Sequence, residues 1–97
     1  MKSYLVNIQL QSIDDAFWDL LPSHRKLVNQ LLIEGVIEMY AISEDRSQGW
    51  IVLHAESERK VKGIVDNFPI RSYFTYEINA LMVLNNSVSL WPRVHLN

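Results

Sequence analysis

The chain has no cysteine. That excludes disulfides, thiolate nucleophiles and any metal site built on sulfur. Glycine occurs three times, always singly, so no glycine-rich loop is present to cradle a phosphate. Nine Lys and Arg stand against eleven Asp and Glu, a net charge of −2. The basic residues form no cluster, which argues against nucleic acid as a partner. No apolar run approaches the ~20 residues that a membrane span needs. His24, His54 and His95 are scattered, without a His-x-x-x-His or Glu-x-x-His pair, so no metal site is expected. The first fifteen residues, MKSYLVNIQLQSIDD, alternate polar and apolar and read as a strand rather than a signal peptide. Together these absences lead to the expectation of a soluble cytoplasmic protein with no cofactor, no nucleic acid and no membrane partner.

What is present suits one small globular domain. Of 97 residues, 48% are apolar, 10% aromatic and 21% charged, a balance unlike that of disordered chains. So short a domain leaves much surface unburied, and self-association would help it. Residues 4–10, YLVNIQL, alternate with period two and predict a half-buried strand. Asp14 and Asp15 suit a helix start, and Pro22 predicts a kink or a fresh start near Ser23. Beyond it His24, Leu27, Val28, Leu31 and Leu32 share one side of a helix, which Gly35 ends. Strands are expected over 36–43 and in GWIVLHAE, joined by the polar loop EDRSQG. Ser57 caps a second helix with Val61, Ile64, Val65 and Phe68 on its apolar face, ended by Asn67 and Pro69. A fourth strand is expected in RSYFTYEINALMVL. The order is β-α-β-β-α-β, the split βαβ or ferredoxin-like arrangement of the α+β class. It predicts a four-stranded antiparallel sheet with both helices on one face, formed by residues 1–84. Residues 85–97 read as a tail, with a short strand near Val88 to Trp91, expected to pack on a neighbouring subunit.

Two helices cover only one face of such a sheet. Parity places Tyr4, Val6, Ile8, Leu10, Ile51, Leu53, Ala55, Phe74, Tyr76 and Ile78 there. The other face takes Leu5, Asn7, Gln9, Trp50, Val52, His54, Tyr73, Thr75, Glu77 and Asn79, with Glu38 and Tyr40 expected to join them. That face mixes aromatics with titratable groups. Exposed in a monomer it would be a large apolar patch, the mark of an interface. Two copies closing on it predict a homodimer, or a higher homo-oligomer, around a partly polar cavity lined by His54 and Glu77.

Three stretches resemble the dimeric α/β-barrel superfamily, and within it the muconolactone isomerase-like group: Glu34–Gly35 closing the first helix, GWIVLHAES leading into the second, and FPIRSYFTYEINAL from Phe68 to Leu81. The similarity spans roughly residues 3–81. It implies dimers through the open sheet face and a small-molecule site between sheet and helices or inside the barrel. It also implies cofactor-free movement of a proton on an unsaturated lactone. Lys26 matches a lysine of some isomerases, whereas IEMYAIS lacks the basic, Trp-rich character of their second strand. The chain is also similar to YCII-like proteins, whose histidine lies eleven residues before the glycine, as His24 does before Gly35. Their Asp-Pro step reads Phe68-Pro69 here.

Glu77 and His24 are the candidate catalytic residues. A carboxylate on an aromatic-rich face would be desolvated toward general-base range, and histidine transfers protons near neutrality. For His24 the alternative is a ring that only packs over the strands, and for Glu77 a salt bridge to Arg71 or Lys2. His54, Tyr40, Asn7, Trp50 and Tyr73 are the candidate ligand-binding residues, with packing and hydrogen bonding across a dimer as the alternative. The expected function is an isomerase-like proton transfer on a small unsaturated acid or lactone in an aromatic-lined pocket. A non-enzymatic dimeric binding or assembly module is the second reading, and a cofactor-free barrel monooxygenase the third.

Overall fold

The structure is a computed structural model that describes residues 1–87. The strand expected near Val88 to Trp91, and most of the 85–97 tail, lie outside the described residues. The chain runs β1 (Lys2–Leu10), α1 (Asp15–Ile33), β2 (Ile37–Ile42), β3 (Gln48–Ala55), α2 (Glu58–Asp66), a 3-10 turn (Arg71–Tyr73) and β4 (Phe74–Leu81). The strands form one sheet in the order β2-β3-β1-β4, and every pairing is antiparallel. This is the ferredoxin-like fold that the order of elements predicts.

Local chemistry sets the boundaries. Asp14 Oδ1 accepts the Phe17 N–H at 3.1 Å, and Ser57 Oγ accepts the Lys60 N–H at 3.3 Å, so each helix begins on a side-chain cap. Gly35, at φ +78°, takes the left-handed position after α1 that only glycine occupies without strain. Pro22 neither ends nor restarts the helix: α1 is continuous through it, contrary to the expected break. The ring lies on the exposed side of α1, where water can serve the Trp18 carbonyl that loses its N–H partner.

The core lies between the sheet and the two helices. Val6, Ile51, Leu53, Val61 and Val65 are wholly buried there, with Tyr4, Ile8, Phe17, Phe68 and Phe74 around them. Burial of each such side chain contributes roughly 1.5–3 kcal/mol. The parity reading of β1, β3 and β4 therefore holds from Tyr4 to Ile78, but two aromatic positions differ from it. Tyr73 belongs to the 3-10 turn before β4, and its ring packs edge-on against Phe17 of α1. Tyr40 also faces the helices, for a reason found in the register. Ile37 pairs with Leu53, but Met39 pairs with Val52, so Glu38 is an extra residue at a bulge. From there the alternation shifts by one, and Tyr40 comes opposite Ile51 on the helix side.

Candidate functional site

The helix-side face builds a pocket of about 200 Å³ between α1 and the sheet. Ile8, Phe17, Leu21, Phe68 and Phe74 give it apolar walls, and its polar side chains are His24, Tyr40 and Arg46, beside the Trp18 indole. An apolar cavity of about 150 Å³ holds benzene, so this one has room for a substituted ring. His24 is 2% exposed. Its Nε2 lies 2.7 Å from the Tyr40 hydroxyl, and Phe68 meets the imidazole edge-on at 5.2 Å between centroids. Burial holds the imidazole at a pKa of about 4, so the ring is neutral at pH 7, and burial pushes the Tyr40 phenol up. Nδ1 of His24 is buried and has no hydrogen-bond partner among the described residues. An orphaned polar atom of this kind in a folded core calls for an explanation. A second groove, between α1 and β2, reaches the same His24–Tyr40 pair from its other side.

At the exposed end of the pocket are Trp18, Ile42 and Arg46. Arg46 sits in the β2–β3 hairpin with φ 65°, the left-handed region, which costs a non-glycine residue about 1–2 kcal/mol. Its guanidinium carbon lies 5.5 Å from the Trp18 ring centroid. The neighbouring Asp45 carboxylate is occupied: Oδ1 accepts from the Ser43 and Ser47 hydroxyls and from the Ser47 N–H, which holds its pKa at about 2. Among the described residues no carboxylate pairs with Arg46. Nothing in the polar loop EDRSQG singled this arginine out, because its role comes from a backbone conformation that composition does not show.

The open face carries a different arrangement. His54 Nδ1 lies 3.0 Å from Ser3 Oγ, and Nε2 lies 2.9 Å from Glu38 Oε1. Asn86 donates to the other Glu38 oxygen. The residues of this hydroxyl–imidazole–carboxylate row come from three strands, and their spacing in sequence gave no sign of it. Glu77 is exposed on this same face, paired in register with Asn7, which in turn pairs with Trp50. Arg71, its suggested partner, instead bonds Asp66 at 2.9 Å.

The candidate residues thus divide. His24 and Tyr40 meet in the buried pocket, whereas Glu77, His54, Asn7 and Trp50 lie across the sheet from them. Tyr73 holds Asp14 through its hydroxyl at 2.6 Å, at the start of α1. Lys26 lies on the exposed outer surface of α1. Among the described residues no group of three His, Asp or Glu could hold a metal ion, and no helix is long and apolar enough to cross a membrane.

No family profile and no curated protein sequence matches the chain. Solved structures do. Muconolactone isomerase superposes with a TM-score of 0.72 at 17% identity, over 89% of this chain and 94% of that one. A 5-chloro-2-hydroxyhydroquinone dehydrochlorinase from Burkholderia phenoliruptrix, solved with 2,5-dihydroxybenzoquinone, gives 0.59 at 15% identity, over 88% and 97%. A de novo designed ferredoxin-fold protein gives 0.51 at 13%, over 90% and 91%. The chain shares its fold with muconolactone isomerase and with this dehydrochlorinase, both of which it matches over nearly their whole length.

Proposed function

We propose that this protein is a small cofactor-independent enzyme that moves a proton on an unsaturated acid or lactone bound between α1 and the sheet. The observation that carries this reading is the buried His24–Tyr40 hydrogen bond beside an apolar pocket, with His24 Nδ1 left without a partner. Muconolactone isomerase, a protein of the same fold, supports the reaction class by analogy. In the working tautomer Nε2–H donates to the Tyr40 oxygen and Nδ1 is a bare acceptor facing the substrate. Nδ1 takes a proton from the carbon at the far end of the conjugated C=C–C=O system, which leaves a dienolate, and returns it to the carbon next to the carbonyl, so that the double bond moves. Tyr40 holds the ring in place through Nε2, its hydroxyl able to accept from that nitrogen or donate to it. A pKa of about 4 makes free His24 a weak base. The negative charge that develops on the dienolate beside the ring favours the protonated imidazole and so eases the transfer.

Of the two residues expected to carry the proton, this reading keeps His24. Glu77 is separated from the pocket by the sheet. The test is NMR of muconolactone in deuterated buffer with the native chain, His24→Gln and Tyr40→Phe. The expected result is isomerisation or solvent deuterium uptake that falls by about 10²–10⁴-fold in His24→Gln. Equal rates in native protein and variant would overturn the reading.

The open face supports a second element, self-association. Leu5 and Trp50 are half-buried there and Met39 is 41% exposed, a surface that a second copy would cover. Such a dimer would enclose Asn7, Trp50, His54 and Glu77, and on its own it would suit an assembly module. A monomer at micromolar concentration in solution scattering would sink it.

A further inference from the structure

We propose that Arg46 is the anchor for a carboxylate, so that the ligand of the His24 pocket is an acid bound with its anionic end at the hairpin and its apolar body toward Phe68 and His24. This rests on the reading of that pocket as a ligand site. Three independent observations converge on it. Arg46 lines the exposed end of the pocket, and among the described residues no other Lys, Arg, Asp or Glu lines it. Its guanidinium lies over Trp18, and the carboxylate next to it in sequence, Asp45, is bonded to Ser43 and Ser47. Its backbone is in the left-handed region, where glycine or asparagine would be easier. An arginine kept in that conformation beside a pocket is a strained choice, and strain of this kind collects at functional positions. Guanidinium recognises a planar carboxylate with two parallel hydrogen bonds, and the Trp18 ring beside it gives the group one favoured position.

The experiment titrates the full chain with cinnamate and with cinnamamide at pH 7, followed by the chemical shifts of residues lining the pocket. The two probes differ in charge and hardly in shape. The native protein should prefer cinnamate by about tenfold, the effect of a hydrogen bond to a charged group. Arg46→Gly and Arg46→Ala should bind both probes alike, at the affinity of the amide for the native protein, and Arg46→Lys should keep part of the preference. Arg46→Gly relieves the backbone, so it should melt no lower than the native chain, and misfolding cannot imitate the loss. If the amide binds and cinnamate gains nothing, or if the preference survives in Arg46→Gly, the Arg46 assignment falls and the pocket reading stands. If neither probe shifts the pocket residues, both fall together.

Discussion

Strand β2 gives a partner to each of two histidines, and the two pairs end on opposite faces of the same sheet. Tyr40 meets His24 and Glu38 meets His54, each across sixteen residues of chain and at nearly the same distance, 2.7 and 2.9 Å. Their environments differ in almost everything else. His24 is buried among aromatics, its partner is a neutral hydroxyl, and one ring nitrogen has nothing to bond. The His54 side chain is 25% exposed, its partner is a carboxylate, and both ring nitrogens are engaged. The first pair leaves a buried ring nitrogen unbonded beside an apolar pocket, the arrangement on which the proposed chemistry rests. The second is satisfied internally and open to water, which is what a structural clasp needs. The same residue type is placed in two opposite surroundings, one buried among aromatics and one open to water.

The largest expected difference between them is in the dependence of stability on pH. The His24 pKa drops from about 6.5 in the unfolded chain to about 4 in the fold. Between those values the unfolded chain binds a proton that the native ring refuses. Stability from this group is therefore fully present above pH 6.5 and is lost as pH falls through that window to 4. The loss should be of the order of 2–3 kcal/mol at about 1.4 kcal/mol per unit. Urea unfolding from pH 7 to 4 measures it, and His24→Leu should flatten the curve. A native profile unchanged by His24→Leu would mean that the ring is not held neutral by burial.

A smaller contrast lies in the partners. Tyr40→Phe removes the hydroxyl and leaves both nitrogens of a buried imidazole unsatisfied, which should cost about 1–3 kcal/mol. Glu38→Gln weakens the half-exposed hydrogen bond to His54 and should cost about 1 kcal/mol or less. Denaturant midpoints for the two variants test the contrast, and costs in the reverse order would remove it.

Much of this arrangement was legible in the sequence, and the exceptions have physical causes. Alternation from Tyr4 to Leu10 and from Ile51 to Ala55 told the two faces apart because one face of each strand is buried. His24 stood out because it falls on the apolar stripe of α1. Period two places Tyr40 on the open face because it assumes an unbroken ladder, and the bulge at Glu38 carries no glycine to announce it. Tyr73 reads as strand because an aromatic before Phe74 continues the apolar run, whereas the chain is still turning there. Arg46 and the Ser3–His54–Glu38 row depend on a backbone angle and on strand order, and neither is written in local composition.

The bulge itself gives the last and smallest effect, and it tests why the two pairs are separated. Ile37 and Met39 pair with the consecutive residues Leu53 and Val52. Deleting Glu38 should therefore make the ladder regular without moving any other residue to a new face. Tyr40 should stay opposite Ile51, and His24 should keep its low pKa, read from the imidazole resonances during an acid titration. His54 and Asn86 lose the Glu38 carboxylate, so stability should fall by no more than Glu38→Ala costs, about 1 kcal/mol or less. If the deletion instead sends Tyr40 to the open face, His24 loses its partner and the pocket loses a wall. The two pairs would then be one coupled unit in which Glu38 positions the site across the sheet.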